Sequence, residues 1–295
     1  MPTFSERRAG LLYGSFVAEA LSLGVHWIYD PAVITAQHGR VTDYLASAPD
    51  SYHPRKQAGD QGHVGDQALC LLQFLQRVHR WDAVAFLRDW AAMWPFYPDY
   101  VDKATKGTLA NLANGAGVEK SGAESDELAG PARIAPLAAF MAESDEAALV
   151  AASVEQTTLT HRTAAARESA EFLARACHQL LHGATLADTL KTLAPAWALK
   201  AANGVADLPT VDAIGQLGRA CPIPAALPAV LYLAKKHGAN VETAFIENAM
   251  AGGDNCARGL ALGMILGAAH GLEAIPLRWR QGLRAAPLLE SFLTA

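Results

Sequence analysis

The sequence predicts an all-α fold, and three observations carry that expectation. Apolar residues recur at helical spacing: Leu71, Phe74, Leu75 and Val78 follow i, i+3, i+4, i+7, and so do Leu173, Ala176, Cys177 and Leu180. Segments that alternate apolar and polar residues with β-branched side chains are nearly absent. Finally, 51% of the 295 residues are hydrophobic, ample material for one sizeable core.

The elements follow in order. A first helix is expected over 5–22, an apolar stretch that Gly10, Tyr13, Gly14 and Ser15 interrupt without breaking. The next, 66–79, leaves a glycine-punctuated loop and carries the Leu71 stripe. Helices over 82–93, 103–116, 134–142 and 145–155 lead to 163–182, which carries the Leu173 stripe, and 185–193 follows it. The series closes with 224–236, 240–249 and 256–270, the last directly after Gly252-Gly253-Asp254. Breaker-rich stretches at 30–65, 117–133 and 195–223 are expected as loops, the first too long for an ordinary connector and therefore a place for function. With no solenoid repeat, linker or charge run, residues 1–295 read as one compact helical domain.

Charge and length exclude whole classes. Lys plus Arg total 24 against 29 Asp plus Glu, a net −5 with no basic stripe, so a nucleic-acid partner is not expected. The longest stretch without a charged residue, Ala220 to Ala234, holds three prolines and falls short of the roughly 18 apolar residues of a membrane span. Arg7-Arg8 and the apolar residues after them imitate a secretory leader, but the stretch runs on into further hydrophobic sequence instead of a mature start. Cys70, Cys177, Cys221 and Cys256 lie far apart without a CxxC, as expected of reduced thiols in a cytoplasmic protein.

Two segments share a form that core packing alone does not explain. Gly59-Asp60-Gln61-Gly62-His63-Val64-Gly65-Asp66-Gln67 and Gly252-Gly253-Asp254-Asn255-Cys256-Ala257-Arg258 each place glycines and an aspartate at the start of an apolar helix. Asp66 and Asp254 read first as helix N-caps. As a pair, two such helix starts, with their amide dipoles, could converge on one anion or metal. Cys256, in a first turn beside Arg258, is either an activated thiolate or a small buried hydrophobe. The rings of His26, Trp27 and Tyr29 either close the core or wall a pocket that stacks on a base, and His161 either caps a helix C-terminus or binds a ligand.

Read in order, these segments resemble the ADP-ribosylglycohydrolases, typified by the enzyme that removes ADP-ribose from arginine in dinitrogenase reductase. Gly14 to Ser22 resembles the family's opening small-residue helix, and Val64 to Gln67 its first metal motif. Gly130-Pro131-Ala132-Arg133-Ile134-Ala135-Pro136 is similar to its central motif and Thr160-His161 to its Thr-His pair. Gly252 to Ala257 is similar to its second metal motif, and Gly271 to Trp279 to its closing one. Leu23 to Asp30 and the Cys256 segment resemble more closely the branch of selenoprotein J and the jellyfish J-crystallins.

The resemblance implies an all-α fold with both helix starts facing one cleft, and two Mg²⁺ held by hydroxyl and carboxylate ligands that orient ribose hydroxyls. Here Val64, Gly65, Gln67, Cys256 and Ala257 replace ligand types, so the expectation is at most one Mg²⁺, on Asp66, Asp254 and water, or none. The resemblance assigns chemistry to Asp66, Asp254, Cys256 and Glu19. It assigns contacts with an ADP-ribosyl ligand to His26, Trp27, His63, Gly65, Gln67, Gly130, Arg133, Gly252, Gly253, Asn255 and Arg258, with phosphates at Gly252-Gly253 and a base or ribose near His26 to Tyr29. Two alternatives stand beside hydrolysis: a Cys256-dependent thiol or redox enzyme with His63 or His26 as proton partner, and a non-catalytic crystallin-like protein. The oligomeric state is not encoded in any of these features.

Overall fold

The computed structural model describes residues 1–294. The helices are α1 (Phe4–Leu23), α2 (Pro31–His38), α3 (His63–Val78), α4 (Ala83–Met93), α5 (Lys103–Ala113), α6 (Ala129–Ala132), α7 (Ala135–Phe140), α8 (Glu146–Thr158) and α9 (Ala164–Leu181). They continue with α10 (Leu186–Leu193), α11 (Ala196–Gly204), α12 (Thr210–Leu217), α13 (Ile223–His237), α14 (Val241–Met250), α15 (Asn255–His270), α16 (Leu277–Gly282) and α17 (Ala286–Thr294). Among the described residues there is no β-strand, only two isolated bridges, Ala123 to His161 and Glu127 to Pro222. No helix among them is long and apolar enough to cross a membrane.

α1 and α15 form the centre, each buried over most of its length. They run antiparallel: Gly10 meets Gly267, Gly14 meets Gly263, and Ala18 meets Gly259. The approach is backbone to backbone, because a Cβ built on Gly263 would lie 2.0 Å from the Gly14 carbonyl oxygen and one on Gly267 1.9 Å from that of Gly10. Small residues four apart on both helices therefore make one continuous seam. Ser15 Oγ donates to Leu260 O across it (3.1 Å), and Arg7 caps the far end by donating to Ala268 O and Ala269 O.

The other helices wrap this pair. The predicted stripes face inward as their spacing requires: Leu71, Phe74 and Leu75 on α3, and Leu173, Ala176, Cys177 and Leu180 on α9, are buried. Three stretches expected as loops contain helices instead, α2, α6, α11 and α12, and α16 and α17 follow the last one expected. The reason is proline chemistry. Asp30 caps α2 with Pro31 at its first position, and Pro195 and Pro209 are the N-caps of α11 and α12, so residues read as breakers act as starters. α3 also begins at His63, three residues before the expected start, which puts Asp66 inside the first turn and not at the N-cap.

The seam can be checked by substitution. Gly263→Ala should destabilise the protein by about 3 kcal/mol or more, because the clash is with backbone on both sides. Gly204→Ala, in open space at the end of α11, should be neutral or stabilising by up to about 1 kcal/mol in the same urea titration. Equal midpoints for the two variants would contradict the seam.

Candidate functional site

The antiparallel seam puts the C-terminus of α1 and the N-terminus of α15 at one end of the molecule, and the site lies there. After α1 the chain turns at Trp27, whose φ of 63° is a left-handed conformation rare for a bulky residue. Two reciprocal bonds hold it: Trp27 N–H donates to Gly253 O and Gly253 N–H donates to Ile28 O, both 2.9 Å. Gly252 and Gly253 have φ of 69° and 70°, and a Cβ on either would fall 2.4 Å from Ile28 O or 2.2 Å from Arg219 O. Their amides are already committed, Gly252 N–H to Ala249 O and Asp254 N–H to Arg219 O. The expected phosphate cradle at Gly252-Gly253 is therefore corrected: these glycines serve close loop packing, and carbonyls consume the donors an anion would need.

A cleft of about 370 Å³ opens beside this junction, lined by Trp27, Tyr29, Tyr52, His63, Val64, Tyr100, Asp102, Lys103, Glu127, Ala129, Cys221 and Asp254. Its aromatic wall is centred on Trp27, which stacks on His26 (4.3 Å between centroids) and meets Tyr52 and Tyr100 edge-on at 4.8 and 4.9 Å. Three carboxyls face a single lining cation, Lys103. Glu127 is pushed up to about 7 by burial, with Asp102, Asp254 and Asp126 adding to the rise. Burial also raises Asp254, opposed by the Cys221 thiol and Arg258.

Three imidazoles back the wall. His26 Nδ1 bonds Asn255 Oδ1 (3.0 Å), leaving Nε2 without a partner and 3.9 Å from Asp254 Oδ1. His63 Nδ1 bonds His53 Nε2 (3.0 Å), and its Nε2 lies 3.6 Å from Asp102. Burial drives all three towards the neutral form, His26 to about 4, His53 to about 3 and His63 well below its usual value.

Glu19, Asp66 and Cys256 lie behind the cleft and do not line it. Glu19 Oε1 accepts the Gly62 N–H (2.8 Å), its Oε2 is buried without a partner, and burial with the nearby Asp66 lifts it to about 8. Asp66 Oδ2 accepts from Lys56 Nζ (2.5 Å) and from the Tyr97 hydroxyl (2.7 Å). Cys256 is buried and donates to Glu19 O (3.7 Å), and burial plus Glu19 and Asp254 push the thiol well up. Of the two readings of Cys256, these surroundings favour the buried thiol, since desolvation and two carboxyls oppose the helix dipole and Arg258.

The remaining sequence-predicted residues form scaffold. Gln67 Oε1 accepts from Trp90 Nε1 (2.9 Å) and from Arg133, Arg133 also donates to Thr160, and Thr160 Oγ1 bonds His161 Nδ1 (2.9 Å). Gly130 lies against the His161 ring and Gly65 against Gln61 and Glu19. Arg258 is buried and donates to Asn248 Oδ1, Asn248 O and Gly252 O, so it holds the loop before α15 instead of reaching a ligand. Of the expected site residues, Trp27, His63 and Asp254 line the cleft, with His26 and Asn255 directly behind. Tyr52, Tyr100, Asp102, Glu127 and Cys221 were missed, and only the excessive length of the 30–65 stretch pointed to any of them.

The donor set does not fit two Mg²⁺. Among the described residues no three His, Cys, Asp or Glu side chains are grouped to hold an ion. Asp66 and Asp254 have separate surroundings, one bound by an ammonium and a phenol, the other beside His26 and Cys221. Val64 and Gly65 offer no side-chain oxygen, and the Gln67 oxygen is already bonded twice.

Comparison with known proteins decides the family. The model of a family described as "ADP-ribosylglycohydrolase" matches residues 1–294. The chain belongs to the ADP-ribosylglycohydrolase family. A solved structure titled "ADP-ribosylglycohydrolase-related protein complex" is similar over 99% of this chain and 97% of its own, with 23% identity and a TM-score of 0.76, which shows that the ADP-ribosylglycohydrolase fold is shared. A search of curated proteins finds no match. Neither match separates the selenoprotein J and J-crystallin branch from other ADP-ribosylglycohydrolases.

The protonation states yield two expectations. A carboxyl raised from 4.5 to about 8 loses stability as pH rises through that window, whereas imidazoles lowered from 6.5 lose it as pH falls below 6.5. Between pH 6.5 and 8 the glutamate dominates, so Glu19→Gln should flatten the decline in urea-unfolding stability by about 1–2 kcal/mol. Parallel profiles for the two proteins would refute a protonated Glu19. In the native protein, brief iodoacetamide treatment should label the partly exposed Cys70 before Cys256, as read by peptide mapping.

Proposed function

We propose that this chain binds ligands of the ADP-ribosyl type in the aromatic, acid-lined cleft and hydrolyses the glycosidic bond there without the family's two-metal centre. The observation that carries the reading is the convergence of Glu127, Asp102 and Asp254 on one ring-walled cleft, where burial pushes Glu127 up to about 7. Cleavage at ribose C1 passes through an oxocarbenium-like state and uses one carboxylic acid to protonate the leaving atom and one carboxylate to support the cation or activate water. Glu127 has the proton to give at neutral pH, and Asp254 and Asp102 are the other carboxyls of the cleft. His26, neutral and held by Asn255, packs its ring edge towards Asp254 at 3.9 Å.

Size and charge orient the ligand. About 370 Å³ is at the lower end of small-molecule sites and takes a ribose with one stacked ring, so the rest of an ADP-ribosyl group extends outward. Phosphates belong at the rim, where Lys103 is, away from the three carboxyls. The thiol reading loses its support with the buried, raised Cys256.

The test is turnover of ADP-ribosyl-arginine in chelator, followed by ADP-ribose binding through tryptophan fluorescence. Glu127→Gln should lower kcat by about 10²–10⁴-fold with KM little changed and remove a pH limb near 7. Tyr52→Ala should weaken binding by about 3–10-fold. Binding without turnover would favour the non-catalytic, crystallin-like alternative, and neither binding nor turnover would overturn the assignment of the cleft.

A further inference from the structure

We infer that the ammonium of Lys56 is a built-in counter-cation, occupying the space at Asp66 where a divalent ion would otherwise bind, so that the chain itself excludes the ion. Lys56 comes from the long loop before α3, where its backbone is fixed by Ser47 N–H donating to Lys56 O and Lys56 N–H donating to His53 O, both 3.1 Å. From this anchorage its side chain reaches Asp66, with Nζ 2.5 Å from Oδ2. The Tyr97 hydroxyl donates to the same oxygen, and its ring lies under the ammonium with 5.9 Å from Nζ to the centroid. Both charged side chains are more than four-fifths buried.

Glu19 completes the cluster. It feels Asp66 as a raising charge and Lys56 as a lowering one, and its fully buried Oε2 has no hydrogen-bond partner. The cluster thus holds one more buried carboxyl oxygen than its single ammonium takes up. An ammonium needs two or three acceptors, whereas Mg²⁺ requires six oxygens in an octahedron, which Val64, Gly65 and Gln67 do not supply. Any divalent ion must therefore displace Lys56 and break an ion pair shielded from water.

The test uses the full-length protein and Mn²⁺ alone, read by electron paramagnetic resonance and by Tm, neither of which depends on turnover. Wild-type protein should bind no Mn²⁺ at this site and keep its Tm in millimolar Mn²⁺. Lys56→Ala should lose about 5–10 °C in Tm, bind one Mn²⁺ and regain at least half of the loss, and Lys56→Ala/Asp66→Asn should regain none. Lys56→Gln carries the same Mn²⁺ measurement if the alanine variant does not fold. Mn²⁺ bound by wild type and lost in Asp66→Asn would overturn the inference, as would a folded Lys56 variant that gains no Mn²⁺. Because these readouts are independent of cleavage, they separate failure of this inference from failure of the proposed reaction.

Discussion

The contact between α1 and α15 is the constraint on which the rest of the structure depends. Gly10, Gly14 and Ala18 facing Gly267, Gly263 and Gly259 allow the two backbones to touch, and a Cβ at any of the five glycines would fall within 3.0 Å of a carbonyl oxygen of the facing helix. Two helices this close bury each other and must then be covered on every side by further helices, which explains why both are apolar nearly all round. The antiparallel register has a chemical consequence as well. It places Glu19, in the last turns of α1, and the His26-Trp27 turn that follows beside Asp254, Asn255 and Cys256, which open α15, so packing and site are fixed by one contact.

That location explains the unusual protonation states. Groups at the buried end of a two-helix core lose water before they gain partners, and the loss dominates in every case: glutamates rise, imidazoles fall, and the thiol rises. Neutral His26 and His63 spend their Nδ1 atoms on Asn255 and His53, and turn Nε2 towards Asp254 and Asp102 at 3.9 and 3.6 Å without hydrogen-bonding them. Asp66 differs from these groups in being ion-paired, and its partner is an ammonium from a loop.

The helices were legible because burial of one face leaves a 3.6-residue trace, as on α3 and α9, and the resemblance in motif order reached the family. What escaped detection had physical reasons. α2, α11 and α12 begin at or just after proline, and a proline that starts a helix looks the same in a sequence as one that ends it. Sequence leaves Cys256 undecided because a helix dipole, worth about 0.3–1 kcal/mol, is visible in it while desolvation is not. Gly252 and Gly253 look like an anion cradle until the carbonyls that take up their donors are seen. Lys56, Tyr52, Tyr100, Asp102 and Glu127 come from loops far apart in the chain, and no local spacing brings them together.

The charge of the cleft bears on how such a site would work. With two unit charges about 6 Å apart at an effective dielectric of 20, a phosphate placed beside one carboxylate costs about 3 kcal/mol, roughly a hundredfold in affinity. The same term reverses for a positive ring. An oxocarbenium-like ribose, with its charge near C1 and the ring oxygen, gains from Asp102 and Asp254 what a neutral ground-state ribose does not. In the proposed reaction the carboxyls would therefore favour the state on the way to bond cleavage over the bound sugar, which is the differential a catalyst requires. Glu127 is raised to about 7 chiefly by burial, and those carboxyls add to the rise. In the proposed reaction the arrangement that repels a diphosphate would thus help burial to keep the proton on its donor and would stabilise the developing cation.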